Sequence, residues 1–442
     1  MKIKKHIISQ KEHQIPRNAI SENALKVLYR LKDAGFQAYL VGGGVRDLLL
    51  GKKPKDFDVA TDAHPDEVKR LFRNCRLIGR RFRLAHILYG RDVIEVATFR
   101  GPHEGEKNSH ADRNKEGRIT RDNVFGSIEE DAVRRDFTIN ALYYNIRDDS
   151  IIDFTGGMND LKRKTIRMIG DVQTRYREDP VRMLRAVRFA AKLDFRMEAD
   201  THTLIFDLKH LLEDIPVARL FDESIKLFQG GYGLHCFHLL RDYQLFEVLF
   251  PLTEAALKNV HSGTRNAPTL VMIEQALNNT DARIAIGKSV NPAFLLSVFL
   301  WHPMLDYKQR FIDMGEHEME ALNSASREVI TRQHAFTSIP KRLSLIMREI
   351  WHMQPQLQHP TRKRALRTLQ HKRFRAAYDF LLLRQSMGES DLAIWCDWWT
   401  AIQTKTPIEQ EKMCANLGNA PKKSKKYKKR RKRIILNKSV ES

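Results

Sequence analysis

Two aspartates one residue apart, Asp56 and Asp58, follow a run of three glycines, with Asp56 nine residues after Asp47 of the segment Gly42-Gly43-Gly44-Val45-Arg46-Asp47. On a strand, residues i and i+2 project from one face. The pair would therefore present two carboxylates side by side, with Phe57 packed behind. That arrangement suits a hard divalent cation: Mg2+ is commonly held by one or two carboxylates and by the phosphates of its substrate. Two such ions about 3.5–4 Å apart clamp the attacking and leaving oxygens of a phosphoryl transfer. The glycines let a triphosphate approach the backbone, and Arg46 offers a guanidinium to phosphate charge.

Each piece alone is weak. An isolated Asp-x-Asp is usually a solvated strand edge or turn, and a glycine run is usually only a turn. Rival motifs fail. A dinucleotide fingerprint starting at Gly42 would have Asp47 where its last glycine belongs. No GxxxxGK[ST], no GxSxG and no adjacent His-Asp pair occurs.

The elements that must position these groups follow from periodicity. Ser21 is placed as an N-cap before Leu25, Leu28 and Leu31 at helical spacing, with Gly35 ending that helix. Short apolar runs at Ala38–Gly43, Asp56–Ala60, Leu84–Gly90 and Asp92–Phe99 read as strands. A short helix-like piece, VRDLLLG, lies between the first two. Gly101–Arg121 is polar and aperiodic, and is expected to be a mobile loop. Beyond Asp171 apolar residues recur every three or four positions, so an α/β head should precede a helical body.

Composition narrows the partners. The 442 residues hold 76 Lys and Arg against 54 Asp and Glu, a formal charge of +22 that calls for a polyanion, nucleic acid first. Ten cations lie in Lys422–Arg433, so the rest of the chain stays basic at +12 without them. Mean hydropathy is −0.47, and no apolar run approaches the roughly 18 residues of a membrane span. The N-terminus lacks a secretory pattern, and the four cysteines form no CxxC pair, which argues against a zinc site or a disulfide framework; a cytoplasmic protein is expected.

Four segments occur in succession over about Leu40 to Leu193: LVGGGVRDLLLGKKPKDFDVAT, EEDAVRRDFTINALYYN, DFTGGMNDLKRKTIRMIGD and RYREDPVRMLRAVRFAAKL. In this order the chain resembles the head and neck of the class II nucleotidyltransferases, which include bacterial poly(A) polymerases and CCA-adding tRNA nucleotidyltransferases. The helical remainder is similar, more loosely, to the poly(A) polymerase branch. The resemblance implies an α+β fold: a polymerase-beta-like head at 21–165, a helical neck at 166–250 that reads the nucleotide base, a helical RNA-binding body at 251–415, a basic extension at 1–20 that is poorly ordered, and a basic disordered tail at 416–442. It implies adenylate addition from ATP to RNA 3′ ends by a monomer, with RNA-decay proteins as partners. CCA addition and a non-catalytic RNA-binding role are the alternatives.

Residue by residue, the resemblance implies that Asp56 and Asp58 bind Mg2+ and that Gly43, Gly44 and Arg46 meet the nucleotide phosphates. Arg134, Arg135 and Asp136 would meet phosphates and sugar. Glu178, Asp179 and Arg182 would recognise the base, and Arg185 and Arg188 follow Arg182 on one helical stripe. Asp136 is read as a metal ligand or a sugar contact. Glu95 is a second candidate for the third metal-facing acid, since a charge within an apolar strand needs a partner or a function; a strand-edge salt bridge is its other reading. His86, alone in an apolar strand, reads as structural. Arg76–Ile87 resembles the poly(A) polymerase segment, and there Arg80, Arg81 and Arg83 surround Phe82 in a grouping suited to RNA. In the tail, Lys425, Lys426, Lys428, Lys429, Arg430 and Arg431 would hold RNA non-specifically. Trp395, Trp398 and Trp399 more often fill a core than stack bases.

Overall fold

Eight strands form one mixed sheet in the computed structural model, which describes residues 5–79, 83–101, 124–258 and 268–418. They are β1 (His6–Ile8), β2 (Ala38–Val41), β3 (Asp58–Thr61), β4 (Cys75–Ile78), β5 (Leu84–Tyr89), β6 (Asp92–Thr98), β7 (Leu142–Asn145) and β8 (Ser150–Asp153), in the order β1-β8-β7-β2-β3-β6-β5-β4. Only β3 and β6 run parallel; the other neighbours are antiparallel. The central strands are apolar because both faces are covered. Helix Glu22–Asp33 buries Ala24, Val27, Leu28 and Leu31 against the sheet, and Ser21 Oγ caps it by accepting from Ala24 N at 3.2 Å. Helix Ile128–Arg134 joins Val41, Ala60, Tyr143 and Ile152 in a second cluster through Ile128 and Ala132.

Two expectations change. Strand β3 begins at Asp58, so Asp56 precedes the strand in a loop instead of sharing its face. Residues up to Ile20, expected to be poorly ordered, supply edge strand β1, which pairs His6, Ile7 and Ile8 with Asp153, Ile152 and Ile151. Arg17 then anchors on Asp149 Oδ1 at 2.6 Å. The partner strand lies some 140 residues away, beyond the reach of any local pattern. The loop expected at 101–121 lies outside the described residues from 102 onward, as do Arg80, Arg81 and the basic tail from 419 onward.

The DFTGG segment has a local explanation. The buried Asp153 carboxylate accepts the backbone N–H groups of Thr155, Gly156, Gly157 and Met158 at 2.8–3.1 Å, which closes the turn into helix Gly157–Lys162. Gly157 sits so close to the Thr138 carbonyl that a Cβ would lie 2.2 Å from its oxygen.

The chain divides into two compact units, residues 1–251 and 252–442. After the sheet the first unit is helical, and its longest later helices include Val181–Leu193 and Val217–Phe228. The second unit is helical throughout its described residues. Trp399 is fully buried there and donates Nε1–H to Leu357 O at 2.9 Å, while Trp395 and Trp398 pack against the same core. Overpacking a rigid backbone contact typically costs about 1–3 kcal/mol. Gly157→Ala should therefore lower stability by at least that range, read as a reduced urea midpoint at unchanged slope.

Candidate active site

Gly42 ends β2 and opens helix Gly43–Leu49 with φ +76°, a conformation that side chains rarely adopt. A Cβ there would lie 3.5 Å from Asp58 Oδ2 and 3.9 Å from Arg135 Nη1, so the bare glycine leaves the carboxylate accessible beside the guanidinium. Gly44 serves a different contact: its Cβ would lie 3.2 Å from the Asp56 carbonyl and 3.5 Å from the Phe57 ring. The missing side chain thus lets the Asp56-Phe57 loop press onto the helix.

Asp58 is flanked on its own sheet. The parallel register places Glu95 of β6 directly beside it, and Asp56 adds a further negative charge. Burial, then the Glu95 charge, pushes the Asp58 carboxyl up to about 6; Arg135 opposes the rise and Asp56 adds to it. Glu95 Oε2 also meets His86 Nε2 at 3.3 Å across β5 and β6. Its strand is interior, so this is a cross-strand pair and not an edge bridge. His86 is half-buried, with Glu95 as its charged neighbour.

Arg135 is itself held in place. Its Nε and Nη2 donate to Asp131 Oδ2 at 3.0 and 2.9 Å, and Tyr143 OH donates to the same oxygen at 2.6 Å. Asp131 also accepts from Arg100 N and is held below the usual carboxylate range: burial pushes it up, but the Arg135 charge and the Tyr143 hydrogen bond outweigh that. Arg134 donates to the Gly101 carbonyl. Arg175 donates to the carbonyls of Arg134 and Arg135 at 2.5 and 2.6 Å, placing a cation at the end of helix Ile128–Arg134, where it offsets the helix dipole.

A second network ties the glycine helix to helix Val181–Leu193. Arg46, expected at the phosphates, is 1% exposed: Nε and Nη2 donate to Asp47 Oδ1 at 2.9 and 2.6 Å, and Nη1 to Asn140 Oδ1 at 2.6 Å. Asn140 Nδ2 reaches Asp136 Oδ1 at 3.2 Å, and Arg185 grips Asp136 Oδ2 through Nε and Nη2 at 2.7 and 2.5 Å. Both oxygens of Asp136 therefore accept from protein donors. Burial alone would raise its carboxyl, but Arg185, Asn140 and the Phe137 N–H outweigh it and bring it to about 2. Phe189 lies at the centre, with the guanidinium carbons of Arg46, Arg185 and Arg188 5.1–5.4 Å from its ring centroid.

The RYREDPVR segment forms a helix ending at Glu178 and a second starting at Val181. Glu178 Oε2 accepts from Arg175 at 2.9 Å and from Arg182 at 3.1 Å, while Asp179 Oδ2 accepts from Arg219 at 2.7 Å. Along the stripe, Arg182 pairs with Glu178, Arg185 with Asp136 and Lys192 with Asp47. Half-buried Arg188 has no ion pair among the described residues, and its Nε is without a hydrogen-bond partner there. Burial, reinforced by Arg185, pulls its guanidinium below its ordinary value.

The structure therefore gathers Gly42, Asp58, Glu95 and Arg135, with Asp56 alongside, and separately gathers Arg46, Asp136, Arg185 and Arg188. Arg83 stands apart, in an exposed pair with Asp66 at 3.5 Å. The sequence reading missed Asp131, Tyr143, Asn140 and Arg175. The four-residue spacing of Asp131 and Arg135 was an available signal; Tyr143 and Asn140 act through tertiary contacts. Because the folded Asp136 carboxyl lies near 2, below its unfolded value of 3.8, the stability it contributes is present above pH 4 and is lost as pH falls toward 2. Asp136→Asn should cost ~2 kcal/mol at neutral pH by urea denaturation, and the gap from wild type should narrow through that acid window.

Comparison with known proteins adds the family. A model described as "Poly A polymerase head domain" matches residues 38–167, "Probable RNA and SrmB- binding site of polymerase A" matches 194–257, and "Polymerase A arginine-rich C-terminus" matches 314–433. Poly(A) polymerase I of Salmonella typhimurium strain LT2 is 50% identical over 432 residues, which cover 97% of this chain and 92% of that protein. A CCA-adding enzyme of Lactobacillus helveticus is 40% identical over 224 residues, 51% of this chain and 54% of that one. The structure of the Bacillus stearothermophilus CCA-adding enzyme in complex with CTP superposes with a TM-score of 0.56 at 26% identity, covering 86% of this chain and 80% of that one. With matches across most of its length and the nucleotidyltransferase head built around Asp58, the chain belongs to the poly(A) polymerase family of nucleotidyltransferases.

Proposed function

We propose that this enzyme transfers AMP from ATP to the 3′-hydroxyl of RNA without a template, releasing pyrophosphate, and that Asp56 and Asp58 hold Mg2+. The observation that carries the reading is the crowding of Asp58 by Glu95 and Asp56 beside an open glycine backbone. Like-charge repulsion and burial make the ionised form of Asp58 costly, and a bound dication offsets both. Among the described residues no group of three His, Cys, Asp or Glu side chains forms a complete cage. Two carboxylates completed by substrate oxygens fit an ion that keeps part of its shell for phosphate and water. When bound, Mg2+ lowers the pKa of the attacking hydroxyl and shields charge on the α-phosphate.

The chain's own groups then supply position and charge. Arg135, fixed by Asp131 and Tyr143, directs Nη1 toward Gly42 and Asp58, where it would meet a triphosphate oxygen. Arg188, without a carboxylate partner among the described residues, is a second cation for phosphate. Asp179 and Arg182 would read adenine by exchanging their present partners, Arg219 and Glu178, for base edges. A base with the wrong donor pattern would leave them unpaired and be rejected. Arg46 and Asp136 act behind this surface and hold the glycine helix against the arginine helix. The adenylate tails would mark cytoplasmic RNA for decay, with RNA-decay proteins as partners of a monomeric enzyme.

Losing a metal ligand should cost more than the roughly 10–100-fold typical of its supporting groups. Asp58→Asn and Asp56→Asn should each cut AMP incorporation beyond a hundredfold while the affinity for RNA, read by fluorescence anisotropy, stays within about twofold. Full activity of either variant with Mg2+ would remove that aspartate from the reaction. Offering ATP or CTP with a generic RNA and with tRNA lacking its terminus should give extended adenylate on the generic RNA. Ordered CTP and ATP addition that stops on the tRNA would assign CCA synthesis instead.

A further inference from the structure

In the unit spanning 252–442, helix Lys341–Gln358 and helix Arg362–Leu369 line a groove of about 620 Å3, within the range of about 300–1,000 Å3 common for ligand clefts. Its lining is strongly basic. Arg348 and His352 stand four residues apart on the first helix, Arg364 and Arg367 three apart on the second, and His371 follows in the next turn. The one acid among the lining residues, Glu349, is already engaged by Arg373 at 3.0 Å and Lys372 at 3.8 Å.

Two buried polar atoms at this groove lack partners. Arg348 Nε and His352 Nε2 are shielded from solvent yet meet no hydrogen-bond partner among the described residues. An atom left unpaired in this way carries a desolvation penalty that no protein group among the described residues offsets. Neither Arg364 nor Arg367 has an ion-pair partner among the described residues. His371 Nδ1 accepts from Arg373 N at 3.1 Å, so its ring proton sits on Nε2 as a donor. Guanidinium forks and imidazole N–H groups with no carboxylate of their own match phosphate oxygens in charge and geometry.

We propose that this groove binds backbone phosphates of the RNA strand, with Arg348, Arg364 and Arg367 as charge partners and His352 and His371 as hydrogen-bonding partners. The proposal rests on the reading that RNA is the substrate. The groove is open rather than closed around one small anion, and its charges are spread over two helices, which suits a chain of phosphates. Leu345 on the same wall is half exposed and offers apolar surface to ribose and base.

The test measures binding of a 5′-fluorescein single-stranded RNA to the full chain by anisotropy across a KCl series. Each phosphate contact with a single strand contributes a slope of about 0.7 in log affinity against log salt. The exposed pair Arg364→Gln with Arg367→Gln should weaken binding several-fold at moderate salt and lower that slope by about 1.4. Arg364→Lys with Arg367→Lys should restore most of the slope, and Lys412→Gln, an exposed cation outside the groove, should leave it unchanged. Wild-type affinity and slope in the glutamine pair, or an equal change in Lys412→Gln, would overturn the proposal. So would loss of ATP affinity with RNA binding intact, since the phosphates recognised would then be those of the nucleotide. AMP incorporation, measured separately, separates the two readings: a wild-type protein that transfers no AMP but shows the groove-dependent slope would refute the adenylyltransferase reading and leave the groove standing.

Discussion

The grip of Arg185 on the buried Asp136 carboxylate is the contact on which the rest of the first unit depends. It closes a chain of charged and polar groups running from Lys192 and Asp47 through Arg46 and Asn140 to Asp136 and Arg185. Each member is satisfied by the next, which is the condition under which buried charge is tolerated. The network joins a helix that opens on glycine to a helix that carries arginines on one face and apolar residues on the other. Phe189 fills the space between the three guanidinia and gives their planar faces a π surface.

Against that rigid background, the aspartate end is arranged less favourably. Asp58 stands beside Glu95 with Asp56 nearby, and a single guanidinium, Arg135, opposes them. A structure selected for stability alone would not crowd carboxylates on adjacent interior strands of a sheet. Unfavourable electrostatics held by a well-packed surround are characteristic of functional sites. Asp131 and Tyr143 are part of that surround: they fix Arg135 so that one of its nitrogens lies beside Gly42, whose φ of +76° side chains rarely adopt.

Arginine plays two roles in this chain, and burial separates them. Arg46, Arg175 and Arg185 are taken up by carboxylates, amides or carbonyls and act as internal struts. Arg188, Arg364 and Arg367 have no carboxylate partner among the described residues. A count of basic residues cannot distinguish these groups, because the difference lies in which acids the fold brings within reach.

The sequence by itself determined most of the head's elements and the family. Alternating apolar runs gave β2, β5 and β6 to within a residue or two, Ser21 marked its helix start, and the order of the glycine, Asp-x-Asp and RYREDPVR segments pointed to the family. Local chain geometry governs those features, so local residues suffice to read them. Tertiary structure alone decided that β1 closes the sheet edge, that Glu95 lies beside Asp58, that Arg46 is buried against Asp47 and Asn140, and that Asp136 pairs with Arg185. Each of those outcomes depends on partners distant along the chain. Burial then sets the energy of a charge through its nearest neighbours in space, which spacing along the sequence does not encode.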